Sequence, residues 1–153
     1  MSVVTQRATR ADIQACRKIN VASMPSPAEH YVPEFWTNIY NQYGDMFYVA
    51  KIEGKIVGYI LCKAEVVQKV SSAIIISIAV DKDYRGKGIG ESLMREAQRA
   101  MRDRGIMIAG LQVRQSNKPA ILMYQKLGYT INLTVPQYYS NPEEDAFLMT
   151  LVL

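Results

Sequence analysis

The sequence predicts an α+β fold in which a mixed, mostly antiparallel sheet is flanked by helices. Segments with strand character and segments with helical periodicity follow one another in the order β-α-α-β-β-β-α-β-α-β-β. Several neighbouring strand segments are joined by short connections, which favour antiparallel pairing. The length of 153 residues suits one domain, which we assign to residues 1–153.

The first strand and two helices are predicted from local signals. Residues 3–5 are valines and a threonine, which favour a short strand. Thr9 and Asp12 form a capping-box pattern that begins a helix, and a proline-rich MPSP stretch ends it. Pro33 suits the first turn of a second helix, which we expect to end before Gly44.

A β-hairpin and a buried central strand are predicted next. The β-rich runs 46–52 and 56–65 are separated by a short turn that contains a glycine. A polar link is expected over 66–72. The following run, AIIISIAV at 73–80, is almost entirely apolar, as in a central strand covered on both faces.

The remaining part of the chain predicts two helices and three strands. Apolar residues at helical spacing begin near Ile89, and the helix is expected to stop at Gly105. Asn117 suits the N-cap of a last helix, with Gly128 just beyond its end. The other predicted segments are strands at 106–114, 129–134 and 146–152, and a long loop at 135–145.

The composition is that of an ordinary globular protein. Hydrophobic residues make up 49% and charged residues 21% of the chain, which does not suit a disordered protein. No apolar run reaches the ~18 residues that span a bilayer, and the N-terminus lacks the apolar core of a signal peptide. We therefore expect a cytoplasmic protein with no membrane partner. Two cysteines and one histidine predict neither a disulfide framework nor a metal site.

The sharpest local motif is the glycine-rich sequence RGKGIG at 85–90, between a buried strand and a helix. Glycines permit a tight turn, and a helix N-terminus presents free N–H groups with a partial positive charge, which suits a phosphate. A P-loop is excluded because no Gly-Lys-Ser/Thr occurs, and the glycine spacing differs from G-x-G-x-x-G. The alternative is a glycine-rich turn without a ligand.

Two spaced motifs resemble signatures of the GNAT acetyltransferase superfamily. SIAV followed by RGKGIG and a helix resembles its acetyl-CoA signature, R/Q-x-x-G-x-G/A, and VRQSNKPAILMYQKLGY resembles its R-x-S-N-x-x-A-x-x-x-Y-x-x-x-G-F/Y segment. The resemblance implies acetyl-CoA as co-substrate, and a central strand that splays away from its neighbour to admit it. The cofactor-binding residues that it implies are Ile78, Ala79, Val80, Arg85, Gly86, Lys87, Gly88, Ile89, Gly90, Glu91, Asn117 and Tyr124.

Two further segments resemble N-terminal protein acetyltransferases. PAEHY at 27–31 is similar to their P-E-N-Y loop, and QYYSNPEEDA at 137–146 is similar to their Y-Y-A-D-G-E-D-A segment. These features resemble the archaeal N-alpha-acetyltransferases and the catalytic subunit of the NatA complex. The resemblance implies acetyl transfer to the free α-amino group of protein N-termini, with a preference for Ser, Ala or Thr exposed by methionine removal.

The resemblance also implies roles for individual side chains. Glu29 matches a candidate base that acts through water, and Tyr124 matches a tyrosine beside the leaving thiol. Tyr31, Tyr138 and Tyr139 are the implied substrate-binding residues. An α-amino group has a pKa of roughly 7.7–8.0, so a modest base suffices. The alternatives are that water alone accepts the proton and that the tyrosines only pack.

Other functions remain open at the level of sequence. A GNAT enzyme that acetylates lysine or a small-molecule amine would have the same cofactor motifs, and a non-catalytic acetyl-CoA-binding module would share them too. The net charge of +4 admits RNA binding, although no specific nucleic-acid partner is predicted. Besides protein N-termini, the resemblance leaves open an association with the ribosome or with an auxiliary subunit.

Overall fold

The computed structural model describes residues 2–153 and has an α+β architecture, as the sequence predicts. Its strands are β1 (Val3–Arg7), β2 (Tyr48–Ile52), β3 (Lys55–Val67), β4 (Val70–Val80), β5 (Ile108–Arg114), β6 (Thr130–Tyr139) and β7 (Glu144–Val152). Its helices are α1 (Ile13–Ser23), α2 (Pro33–Tyr43), α3 (Ile89–Asp103) and α4 (Lys118–Lys126). The strands form one seven-stranded sheet in the order β1-β2-β3-β4-β5-β7-β6. All neighbouring pairs are antiparallel except β4 and β5.

The helix termini lie where the sequence signals indicate. Thr9 donates its backbone N–H to Asp12 Oδ2 at 2.8 Å ahead of α1, and Pro33 occupies the first position of α2. Gly88 precedes α3 with a left-handed φ of 80°. Asn117 caps α4, because its side-chain oxygen accepts the N–H of Ala120 at 3.3 Å. Local chemistry therefore sets where the helices begin.

The predicted polar link at 66–72 is wrong. β3 and β4 continue through this segment as a hairpin, with Val66 paired to Ser71 and Val67 to Val70. Gln68 and Lys69 form the turn with positive φ values of 50° and 66°. The tip of this hairpin is exposed, so the strands are extended by main-chain hydrogen bonds and not by burial. The pattern of hydrophobic residues therefore does not reveal this part of the strands.

The predicted loop at 135–145 is also wrong in its extent. β6 continues to Tyr139 and β7 begins at Glu144, so only a short turn separates them. Pro136 lies within β6, and the pairing with β7 is irregular between Val135 and Tyr139. A proline is tolerated here because β6 is the edge strand of the sheet.

The hydrophobic core has one part on each face of the sheet. One part contains Leu93 and Met101 of α3, packed against Ile60 and its neighbours on the strands. The other contains Trp36 of α2 with Phe47 and further residues of α1 and the strands. No helix within residues 2–153 is long and apolar enough to cross a membrane.

β4 separates from β5 halfway along its length. The two strands pair in parallel at only three positions, from Ser72–Ile108 to Ile74–Gly110. The register of β3 with β4 shifts where Leu61 pairs with Ser77 and Cys62 with Ile75, so Ile76 is an extra residue in β4. Such a β-bulge bends its strand. The predicted splay of the central strands is confirmed.

Replacing Leu93 with alanine tests the packing of α3 on the sheet. Leu93 is 0% exposed, so the truncation leaves a cavity in the core. We expect the free energy of unfolding to fall by about 2–5 kcal/mol in urea titrations. The control is Leu122→Ala, at a position that is 65% exposed, and it should change stability by less than about 0.5 kcal/mol. Equal stabilities for the two variants would contradict this packing.

Candidate active site

The splay between β4 and β5 opens into a cleft of about 990 Å³. Its walls are the second half of β4, the end of β5, the glycine-rich loop, the start of α4, the segment between α1 and α2, and the end of β6. The predicted residues that line it are Glu29, Tyr31, Ile78, Ala79, Val80, Arg85, Gly86, Gly88, Ile89, Gly90, Glu91, Asn117, Tyr124, Tyr138 and Tyr139. Lys87 is exposed and is the one predicted site residue that does not line the cleft.

The glycine-rich loop forms one end of the cleft. Gly86 and Gly88 have φ values of 76° and 80°, which β-carbon-bearing residues rarely adopt. Arg85 holds the loop against β4, because its Nε donates to the carbonyl of Val80 at 2.9 Å. The N-terminus of α3 therefore faces the cleft with helix N–H groups that lack intrahelical partners, which suits the pyrophosphate of acetyl-CoA.

The β4 edge that faces the cleft carries free main-chain groups. Asp81 donates its N–H to Val57 on β3, and consecutive strand residues alternate in direction, so the N–H and C=O groups of Ile78 and Val80 face away from β3. The Val80 carbonyl is bonded to Arg85 Nε, which, within residues 2–153, leaves the Ile78 carbonyl and both N–H groups free. No β5 residue pairs with Ile78 or Val80. An extended ligand arm between the strands would find hydrogen-bond partners there.

Arg114, at the end of β5, joins the two segments at the other end of the cleft. Its Nη2 lies 2.6 Å from Glu29 Oε1, on the segment between α1 and α2. Its Nη1 donates to Glu144 Oε1 at 3.3 Å and to the carbonyl of Pro142 at 2.9 Å. A further bond from Nη2 reaches the carbonyl of Ser140 at 3.4 Å. One guanidinium thus connects the predicted base to the turn between β6 and β7.

The carboxylates of Glu29 and Glu144 stabilise the positive charge of the Arg114 guanidinium. Burial lowers its pKa, but the hydrogen bonds and negative charges of Glu29 and Glu144 outweigh burial and raise the pKa overall. Its buried Nε has no partner among residues 2–153. The guanidinium lies 4.3 Å from the ring centroid of Tyr139, within cation–π distance. Burial, together with the charge of Glu29, raises the pKa of the Tyr139 hydroxyl, which therefore stays protonated near neutral pH.

Tyr124 lies in the wall of the cleft, and its hydroxyl group is protonated. The residue is 6% exposed, and burial raises its pKa well above the ordinary value for tyrosine. Its hydroxyl makes no hydrogen bond with another residue in the described part of the chain, 2–153. A hydroxyl in this state can donate to a ligand atom. Asn117 uses its side-chain oxygen for the cap of α4, and its amide nitrogen is left for a ligand.

The three tyrosines proposed for substrate differ in their surroundings. Tyr31 stacks on Phe35 with ring centroids 4.7 Å apart, and its hydroxyl donates to the carbonyl of Ile76 at 3.4 Å. Tyr138 is 51% exposed and packs edge-on against Tyr139 at 4.9 Å. Across residues 2–153, no group of three or more His, Cys, Asp or Glu side chains is arranged to hold a metal ion.

The sequence motifs include Arg114 but do not reveal which residues it contacts. The sequence marks it only as the first position of the R-x-S-N motif. Its partners Glu29 and Glu144 lie 85 and 30 positions away, so no local pattern connects them. Glu144 is fixed in turn by the backbone N–H of Ser116, which donates to Oε2 at 2.6 Å.

The sequence matches the acetyltransferase (GNAT) family over residues 13–129, so the chain belongs to this family. It is an acetyl-CoA-dependent acyltransferase. It is 34% identical over 155 residues to the N-alpha-acetyltransferase of Sulfolobus acidocaldarius, covering 95% of this chain and 90% of that one. It is 33% identical over 145 residues to the N-terminal acetyltransferase A complex catalytic subunit NAA10 of Arabidopsis thaliana, covering 93% and 74%.

A solved structure has the same fold. A chain in the crystal structure of the NatC complex bound to Gag peptide and CoA superposes with a TM-score of 0.92 at 25% identity, covering 100% of this chain and 99% of that chain. The predicted resemblance to the GNAT superfamily and to N-alpha-acetyltransferases is therefore confirmed.

Replacing Arg114 with glutamine tests its role in joining the two segments. The variant loses the charge and most of the hydrogen bonds to the turn between β6 and β7. We expect amide hydrogen exchange in residues 137–145 to accelerate by roughly tenfold, since each lost hydrogen bond contributes ~1 kcal/mol.

The matched control is Arg104→Gln. Arg104 also makes a bidentate pair, with Asp45, and bonds the carbonyl of Gln42, but at the far end of α3. Its replacement should leave exchange in 137–145 unchanged. Equal protection of this segment in the wild type and Arg114→Gln would show that Arg114 does not hold it.

Proposed function

We propose that the protein transfers the acetyl group of acetyl-CoA to the free α-amino group of protein N-termini. The observation that carries the proposal is one continuous cleft with the glycine-rich loop at one end and Glu29 with three tyrosines at the other. An activated thioester and an extended peptide would then meet where β4 and β5 diverge. The relatives named as N-alpha-acetyltransferases support the same acceptor.

Acetyl-CoA supplies an acetyl group activated as a thioester. The loop from Arg85 to Gly90 and the start of α3 would hold its pyrophosphate, with Lys87 and Glu91 at the margin. The cleft-facing main chain of Ile78 and Val80, with Ala79 between them, would bind its pantetheine arm, with Asn117 on the opposite side. These assignments rest on free helix N–H groups and unpaired strand edges, which are strong hydrogen-bonding groups.

Glu29 is the proposed base for the substrate amine. Arg114 already binds Oε1 of Glu29. We therefore propose that the proton of the substrate amine reaches the Glu29 carboxylate through a bridging water. An α-amino group needs only a weak base, because its pKa of roughly 7.7–8.0 is close to neutral pH. Tyr124, buried and protonated, is the proposed donor to the departing thiolate of CoA.

The proposed substrate preference is for a small first residue such as Ser, Ala or Thr. Tyr31 and Tyr139 are largely buried beside Glu29, and their bulk limits the room for a long first side chain. The resemblance to archaeal N-alpha-acetyltransferases implies further acid–base groups at the positions that Ile74 and Gln112 occupy here. Neither side chain can act as a base, so more of the proton transfer falls on Glu29.

The proposed acceptor also bears on location and partners. New protein N-termini first appear in the cytoplasm, so we propose that the enzyme acts there. An association with the ribosome or with an auxiliary subunit would bring the cleft to emerging chains. The NAA10 relative is named as a subunit of a complex, which makes a partner subunit a concrete proposal to test by co-purification.

Replacing Gly88 with valine tests the phosphate assignment. A β-carbon at Gly88 meets no protein atom within 4 Å, but the φ of +80° is strained for a branched residue. We expect the acetyl-CoA dissociation constant in calorimetry to rise by at least about tenfold, because the loop shifts and the new side chain occupies ligand space.

Gly54→Val is the control for this experiment. Gly54 has a φ of +78° and open space around its β-carbon position, but it lies in the turn between β2 and β3, outside the cleft. The same strain there should leave acetyl-CoA affinity unchanged. If Gly88→Val binds acetyl-CoA as tightly as Gly54→Val does, the loop does not hold the cofactor.

Replacing Glu29 with glutamine tests the base. Glutamine still offers Arg114 an oxygen acceptor, so the change removes mainly the charge and the basicity. We expect turnover of Ser-starting peptides to fall by roughly 10²-fold, with acetyl-CoA affinity nearly unchanged. Glu34→Gln, at an exposed residue in the first turn of α2, is the control and should keep wild-type turnover.

The same assay tests substrate preference. We expect wild-type enzyme to acetylate Ser-starting peptides faster than Met-Leu-starting peptides. Equal wild-type rates on both would refute the preference for a small first residue. An unchanged rate for Glu29→Gln, where chemistry limits turnover, would refute the role of Glu29 as base.

A further inference from the structure

A chain of buried polar side chains lies beneath Glu29. Asn20 of α1 directs its amide nitrogen both to the backbone carbonyl of Glu29, at 3.1 Å, and to the hydroxyl of Tyr59 on β3, at 3.0 Å. The Tyr59 hydroxyl lies 2.7 Å from Ser77 Oγ on β4. Asn20 is 1%, Tyr59 0% and Ser77 8% exposed, and Ser77 lines the cleft.

The direction of both hydrogen bonds that Asn20 makes is fixed by the chemistry of its amide nitrogen, which can only donate. The amide nitrogen of Asn20 has two protons, and each has one acceptor. The Tyr59 oxygen accepts from Asn20, and in its contact with Ser77 Oγ either hydroxyl can be the donor. Burial raises the pKa of the Tyr59 hydroxyl, so its proton is retained at neutral pH. The two bonds that Asn20 donates, to the Glu29 carbonyl and to the Tyr59 hydroxyl, together fix the plane of its amide.

The surroundings of this network are apolar. The ring of Tyr59 packs edge-on against Trp36 at 5.3 Å, in the same part of the core as Phe47 and Leu61. Burying a polar group among apolar side chains lowers the stability of the fold unless that group has a hydrogen-bond partner. The hydrogen bonds among Asn20, Tyr59 and Ser77 link α1, β3 and β4. Asn20 connects this network to the backbone carbonyl of Glu29.

Glu29 is thereby held at two points on opposite sides of the cleft. Its carbonyl is bound by Asn20 and its carboxylate by Arg114. Its own N–H donates to Ser26, within the short helical turn Pro27–Glu29. A carboxylate fixed only at its tip would move with this turn, whereas the bond to Asn20 ties its backbone to the core.

We propose that Asn20 is a positioning residue for acetyl transfer, acting through Glu29, and that Tyr59 and Ser77 orient its amide. This inference rests on the proposed role of Glu29. Asn20 does not line the cleft, so its effect on turnover must pass through the residue that it holds. Displacement of a reacting group by about 1 Å can cost up to ~10²-fold in rate.

The test is a double-mutant cycle between Asn20→Ala and Glu29→Gln on a Ser-starting peptide. Asn20→Ala alone should lower kcat by roughly tenfold while leaving acetyl-CoA affinity unchanged. In the Glu29→Gln background the same change should lower kcat by no more than about twofold, because the base it positions is already gone. A merely structural role would slow both backgrounds by the same factor.

A second variant tests the network without removing packing. Tyr59→Phe keeps the ring and removes the hydroxyl that orients Asn20, so kcat should fall by roughly threefold to tenfold. The matched control is Tyr129→Phe. Tyr129 is 2% exposed and its hydroxyl donates to Gln98 at 3.0 Å, on the α3 side of the sheet. This control should leave kcat unchanged even if it lowers the melting temperature.

The outcomes separate the two proposals. Equal slowing by Asn20→Ala in both backgrounds, or wild-type kcat for Tyr59→Phe, overturns the positioning role and leaves the base intact. Wild-type kcat for Glu29→Gln overturns the base and the positioning role together. If Asn20→Ala does not fold, the comparison of Tyr59→Phe with Tyr129→Phe still decides.

Discussion

The parting of β4 from β5 is the constraint on which the rest of the structure depends. Three residue pairs hold the two strands together, and beyond Ile74 no cross-strand bonds join them. The extra residue at Ile76 bends β4 at this point. Unpaired main-chain groups are ordinarily costly inside a protein, so the exposed strand edge suits the extended ligand that we propose for it. The glycine-rich loop and the proposed catalytic side chains are arranged around this gap.

A gap through the centre of a sheet needs non-covalent interactions that join its two sides at the open end. Arg114 supplies them, because its guanidinium has donors for Glu29, Glu144 and two carbonyls at once. The same side chain joins the base segment to the turn that follows Tyr139. On the opposite side, the network through Asn20 ties Glu29 to the core. The proposed base is thus held from both walls of the cleft.

Sequence reasoning succeeded where local chemistry decides the structure. The positions of Thr9, Pro33 and Asn117 predict helix starts, because capping acts within one turn. It failed at two exposed hairpins: the strands beyond Val66 and Val135 are held by backbone hydrogen bonds rather than by burial, and a proline within β6 is untypical of a strand. The contacts of Arg114 and Asn20 join distant segments. Nearly all of the residues that motif resemblance predicted line the cleft, but the resemblance could not show what holds them in place.

The central claim is that the acceptor is the α-amino group of a protein N-terminus. The most direct test is to incubate the enzyme and acetyl-CoA with a Ser-starting peptide that also contains an internal lysine, and to locate the acetyl group by mass spectrometry. The same peptide with a blocked N-terminus is the comparison. We predict one acetyl group on the N-terminal residue of the free peptide and none on the blocked peptide. Acetylation of the lysine at a similar rate in both peptides would contradict the account and indicate a lysine acetyltransferase.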